Sequence, residues 1–129
     1  MAETEPDGVD ALDPPQIALK TVEEGVKSAS LPLGSMVVMG LLAGAFIALG
    51  GLVSVTVGAG GDALPYGVVQ FMSGLVFTVG LAMVIVGGAE LFTGNTMTVP
   101  VALLEKKTTA SQLATNWGVV YVTNFVGSI

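Results

Sequence analysis

Two long stretches of this chain carry no charge. From Ser28 to Gly61 every residue is uncharged, and the centre of that run, LGSMVVMGLLAGAFIALGGLVSVTVG (33–58), exceeds the about 20 apolar residues that cross a bilayer as a helix. GAGGDALP (58–65) follows with turn chemistry and Asp62, which predicts an aqueous loop. The second apolar stretch, 66–89, is again long enough to span. TVPVALL is apolar but short, EKKTTAS (105–111) reads as a polar loop, and QLATNWGVVYVTNFVGSI (112–129) begins a third span. Ahead of all of these, PPQIALKTVEEGVKSAS (14–30) sets Ile17, Val22 and Val26 among charges. That spacing predicts a short amphipathic surface helix, weakened by Gly25, that would lie on a membrane or cap a neighbouring subunit.

Composition agrees with the pattern. Hydrophobic residues make up 52% of the chain and charged ones 11%, with a mean hydropathy of +0.81, which predicts an all-α membrane protein. Cysteine and histidine are both absent, so these residues offer no disulfide, no zinc site and no histidine acid–base chemistry, and no metal is expected. Nothing in the sequence calls for a cofactor.

Charge then sets the topology. Half of the ten acids lie in residues 1–13, among Pro and Gly, which predicts a solvated, disordered acidic tail. No positive segment precedes an apolar core at the N-terminus, so the tail is not a signal peptide. Four lysines, no arginine and a net charge of -6 leave no basic footprint for nucleic acid. Lys20 and Lys27 precede the first span, Lys106 and Lys107 follow the second, and the loop between the spans has none. The positive-inside rule puts the N-terminus in the cytoplasm, Asp62 outside, and the protein in the cytoplasmic membrane as a multi-pass chain. The last span holds about 18 residues without a polar flank, against the about 20 a crossing needs, so the sequence is expected to be the front of a longer protein.

Small residues mark the packing faces. Gly40 and Gly44, with Ala48 one turn on, stack on one face of the first span and let a second backbone approach. The second span has Gly74, Gly80, Gly87 and Gly88, a density that fits a tight multi-helix bundle.

GGAELFTGNTM (87–97) breaks this regularity. Glu90 is the only charged residue between Asp62 and Glu105, and an ionised carboxylate in hydrocarbon must face protein, water or hydrogen-bond donors. Gly94-Asn95 is a turn dipeptide, and Pro100 removes a hydrogen bond from any helix interior. The second span is therefore expected to break over about 88–98 and to resume as a short half-helix over 98–105. Non-helical backbone at membrane depth is tolerated only where protein buries it or it lines a cavity, and transporters build substrate sites from such breaks. The new helix N-terminus suits an anion. Thr93, Asn95, Thr96 and Thr98 are expected to cap it or face the path, and Glu90 to accept hydrogen bonds from loop amides. A simpler reading ends the second helix at the interface near Glu90, with a long cytoplasmic loop beyond it. Phe77 and Leu81, four apart, share a helix face; spacing alone favours bundle core over a pore narrowing.

AGAFIALG (43–50), GGAELFTGNTM and NWGVVYVTNFVGS (116–128), in that order and spacing, resemble the formate/nitrite transporter family from about Ile17 to the end. The resemblance implies an aquaporin-like fold of six spans in two inverted repeats, of which these residues would supply the first half: helix 1, a broken helix 2 and the start of helix 3. Aquaporins themselves would show Asn-Pro-Ala, which is absent. It also implies a homopentamer in the lipid bilayer, a pore in each protomer, and passage of small monovalent anions such as formate, nitrite or hydrosulfide, in some members with proton coupling. Thr93 matches a pore threonine whose hydroxyl meets a fifth-span histidine. Phe77 matches the periplasmic constriction, and Leu81 and Leu91 the cytoplasmic one, with Phe92 beside them. Glu90 is then a brace of the loop, with Gly94 and Asn95 shaping it, because a fixed negative charge would repel the anion.

This chain has neither the histidine nor a second repeat, and so holds half a pore. The alternatives are a non-transporting membrane assembly subunit, with a continuous second helix, and an aquaporin-like channel for neutral solutes. Residues 1–129 alone are expected to conduct nothing: liposomes carrying them should take up formate no faster than empty ones, and uptake above that background would contradict the half-pore reading.

Overall fold

The computed structural model describes residues 12–61 and 63–129. Most of the expected acidic tail, and Asp62, lie outside the described residues. The described residues form five helices and no strand: α1 (Pro14–Ser30), α2 (Leu33–Ala59), α3 (Tyr66–Gly87), α4 (Phe92–Leu104) and α5 (Ala110–Gly127).

Local chemistry sets the boundaries. Prolines open α1, where a missing N–H costs nothing, and the Asp13 amide donates to Gln16 Oε1 at 2.9 Å. Leu31 precedes Pro32 and so leaves the helical region, which separates α1 from α2. Pro65 leads into α3. At the far end of α3, Gly88 takes a left-handed φ of 61°, and the amides of Gly88 and Ala89 return to the carbonyls of Ile85 and Val84. Thr109 begins α5 by a reciprocal cap, its hydroxyl accepting from the Gln112 amide at 3.2 Å while its own amide donates to Gln112 Oε1 at 2.9 Å.

At 27 and 22 residues, α2 and α3 extend about 40 and 33 Å, enough to cross the hydrocarbon of a bilayer. Only 28% and 11% of their apolar windows are buried inside the structure, so neither is the sheltered core helix of a water-soluble domain. Their outer faces are apolar, with Val55, Phe71 and Val86 exposed. The molecule is an all-α membrane fold.

Helix α2 is the centre of the bundle. It packs antiparallel on α3, through Gly50 and Gly80, and parallel on α5, through Gly40 and Gly44. A Cβ on Gly80 would come within 2.7 Å of the Phe46 carbonyl oxygen, and one on Gly44 would collide with the backbone carbonyl of Asn124. These approaches are backbone against backbone, which no rotamer change relieves. Helix α1 lies on α4 and also touches α5, so the segment expected as a surface helix is docked on its own chain through Gly25, Ser28 and Ala29.

The break in the second span is shorter than the expected 88–98. It comprises residues 88–91, and α4 runs from Phe92 straight through Gly94, Asn95 and Pro100. Gly94-Asn95 makes no turn because tertiary partners on α5 and the break occupy the Asn95 side chain within the helix. Pro100 deprives only the Thr96 carbonyl of its helical donor, and α1 and α5 hold α4 on both sides of that point.

Gly44→Leu in the detergent-solubilised protein should cost about 3 kcal/mol or more, by forcing α2 from α5. Gly74→Ala, where a Cβ meets nothing within 4 Å, should change stability by less than about 1 kcal/mol. Thermal unfolding of the two variants checks the pair.

Candidate functional site

The non-helical segment 88–91 sits against α2 at Met39 and Gly40, about two turns in from the start of that helix. Every polar group it buries in an apolar bundle requires a partner. The Glu90 amide donates to the Met39 carbonyl at 3.3 Å. The Glu90 carbonyl accepts from Asn124 Nδ2 at 2.9 Å, and the same nitrogen donates to the Gly40 carbonyl at 2.9 Å. Asn124 Oδ1 accepts from the Phe92 amide at 2.9 Å. Helix α4 therefore begins with Leu91 as its N-cap and no side-chain cap of its own; the cap comes from α5. The expected capping by Thr93, Asn95, Thr96 or Thr98 is replaced by this one, because Leu91 occupies the position from which a local side chain would cap.

Glu90 is 8% exposed and its carboxylate is held by side chains, not by the loop amides that the sequence suggested. Ser28 Oγ donates to Oε1 at 3.1 Å and Asn95 Nδ2 to Oε2 at 2.7 Å. Asn95 Nδ2 also donates to Asn116 Oδ1 at 3.0 Å, and Asn116 Nδ2 donates to the Ser28 carbonyl at 3.0 Å. The chain of contacts ties the end of α1, the break, the first turn of α4 and the first half of α5 into one buried polar knot. The loop amides are unavailable to the carboxylate because α2 and Asn124 already engage them.

Three of these residues, Ser28, Asn116 and Asn124, were not singled out from the sequence. Asn116 and Asn124 carried a signal: two amides eight apart, on one face of a largely apolar 18-residue helix, are costly in a membrane unless paired. Ser28 carried none, since a serine at a helix end reads as ordinary.

A cleft of about 490 Å³ opens on one side of the knot. Leu81 of α3 and Leu91 of the break border it, with Glu90, Gly94 and Asn95. Its α1 wall carries Glu24 and Lys27, which pair with each other at 3.4 Å in an exposed position, so neither adds much net field. Leu81 and Leu91 thus meet at one opening, while three other expected path residues stand apart from it. Phe77 is half-exposed on α3, one turn before Leu81. Thr93 is exposed on the first turn of α4, its hydroxyl without a partner among the described residues. Phe92 turns to the opposite side, where its ring meets Tyr121 edge-on at 5.2 Å and Trp117 at 6.3 Å. Gly40 and Gly44 lie behind the break, where Gly40 admits the Thr123 side chain and Gly44 the Asn124 backbone of α5.

Comparison with known proteins matches residues 15–129 to the family model for formate/nitrite transporters. The chain is 44% identical over 117 residues to the uncharacterized transporter YrhG of Bacillus subtilis, covering 90% of this chain and 44% of that protein. It is 40% identical over 116 residues to the formate channel BtFdhC of Bacillus thuringiensis, covering 90% and 45%. With the formate channel FocA of Haemophilus influenzae it shares 41% identity over 90 residues, 70% of this chain and 31% of that one. The chain spans less than half the length of these relatives. With a family match over nearly its whole length and a broken second span braced by its buried polar knot, the chain belongs to the formate/nitrite transporter family.

Proposed function

We propose that the protein passes small monovalent anions, formate foremost and nitrite or a similar ion with it, through the cytoplasmic membrane, with its N-terminus in the cytoplasm. The observation that carries the reading is the four-residue break in an apolar helix, braced from behind by buried side chains and opening on a cleft between Leu81 and Leu91. The relatives named formate channels support formate as the substrate. The lysine pairs before α2 and after α4 support the orientation.

The chemistry follows from what an anion loses and finds on entry. Leu81 and Leu91 offer no hydrogen bond, so a bare anion passing them would shed hydration at a large cost. Outside this cleft, on the exposed first turn of α4, the free hydroxyl of Thr93 would supply a donor and the helix N-terminus a partial positive charge. Movement of the neutral acid, with its proton taken up on one side and released on the other, lowers the barrier further and is the route for proton coupling. Phe77, one turn earlier in α3, forms a second narrowing on the outer side. The Glu90 carboxylate works as a brace: both of its oxygens already accept from Ser28 and Asn95. The protein works as a homopentamer in lipid, its exposed apolar faces covered by bilayer and by neighbouring copies.

The test is flux through proteoliposomes holding the protein translated from the complete reading frame. Formate uptake should exceed that of empty liposomes, with glycerol excluded. Thr93→Ala should lower formate flux about fivefold, the worth of one hydrogen bond, and leave assembly intact. Glycerol passage without formate passage would make this a neutral-solute channel. Unchanged flux and pH dependence in Thr93→Ala would remove Thr93 from the path.

A further inference from the structure

Asn124 does more than fill a gap between helices. Its amide uses both hydrogens and one oxygen lone pair, on Gly40, Glu90 and Phe92. The Glu90 carbonyl belongs to the peptide group before Leu91, and the Phe92 amide to the peptide group after it. One side chain therefore fixes both peptide planes that flank Leu91. Those planes set the φ and ψ of Leu91, and with them the direction in which its side chain leaves the backbone. Leu91 is the large apolar side chain that the break itself adds to the cleft, whose α3 wall includes Leu81, Val84 and Ile85.

We infer that Asn124 is a positioning residue that sets the opening between Leu91 and Leu81, and so decides the size of anion that passes. This rests on the anion-path reading for its consequence, but not for its geometry. The third bond, to the Gly40 carbonyl, anchors the amide to α2, so the aperture is referenced to the central helix of the bundle. The glycines at 40 and 44 acquire a second purpose. They bring α5 close enough to α2 for a short side chain on one to reach the break behind the other. No other residue of this length can replace the amide. Aspartate keeps an acceptor for the Phe92 amide but sets a carboxylate against two carbonyl oxygens, and leucine makes none of the three bonds. Glutamine is a methylene too long for the same approach.

Two measurements on the complete protein test the assignment. In the first, Leu91→Cys and Leu81→Cys are each made in a background without other cysteines, and the rate of modification by a small methanethiosulfonate reagent is measured with and without Asn124→Asp. The rate at position 91 should change about tenfold, the scale of losing one or two positioning hydrogen bonds, and the rate at position 81 should hold within about twofold. In the second, uptake of formate is compared with that of lactate. Asn124→Asp should lower the formate-to-lactate ratio roughly tenfold, the scale on which a site distinguishes a small increment of substrate size. Asn124→Ser, neutral and with a single donor, carries both measurements if the aspartate variant does not assemble. An unchanged rate at position 91 in an assembled variant would overturn the assignment, whether or not any anion is carried. A changed rate at 91 with no anion flux in the unsubstituted protein would uphold the positioning role and overturn the anion path.

Discussion

A helix that stops inside an apolar bundle leaves amides and carbonyls with no water to receive them, and this structure is arranged around meeting that demand. The break at 88–91 draws partners from three directions. Helix α2 offers the Met39 carbonyl, α5 offers Asn124, and the left-handed Gly88 closes the end of α3 on itself. A second set of bonds then secures the buried carboxylate that the break brings with it, through Ser28, Asn95 and Asn116. Each set requires close helix approach, and the glycines of α2 are what permit it. Packing, polar satisfaction and the position of the cleft are therefore one constraint seen at three scales.

The division of labour on the two sides of the break bears on function. Behind it, polar side chains are consumed in pairs, which leaves little free charge. Leu81 and Leu91 line the cleft together with Ser28, Glu90 and Asn95 of the buried polar knot, and the exposed Thr93 stands apart from it. The polar groups of the cleft are thus largely committed to one another, which is what the proposed anion path requires of a lining that does not hold its ion. Phe92 belongs to neither side: packed on Tyr121 and Trp117, it fastens the start of α4 to α5.

Much of the fold could be read in the residues. Two long uncharged runs with proline and glycine at their ends place α2 and α3, and the lone Glu90 among apolar neighbours marks the break. The length of the break was not legible. Gly94, Asn95 and Pro100 all speak against a helix when taken locally, and they sit in one because Asn116 and Glu90 engage Asn95 and because α1 and α5 flank α4. The bracing of Glu90 was legible as a need but not as a solution. A buried carboxylate must find donors, yet one of them is Ser28, 62 residues before it, and the other, Asn95, is held by Asn116, 26 residues after it; no local pattern connects these. Asn124 showed the same need without its solution: its partners are backbone groups, which every residue has.

Single-residue amide hydrogen exchange across positions 88–95 tests the central claim most directly, since the claim is that neighbouring helices, not the loop itself, hold this break. The Glu90 and Phe92 amides, bonded to α2 and α5, should exchange slowly, and the Leu91 amide, without a partner among the described residues, should exchange fast between them. Uniform protection through 88–95 would mean a continuous helix, and uniform fast exchange an unbraced loop; either would contradict the account.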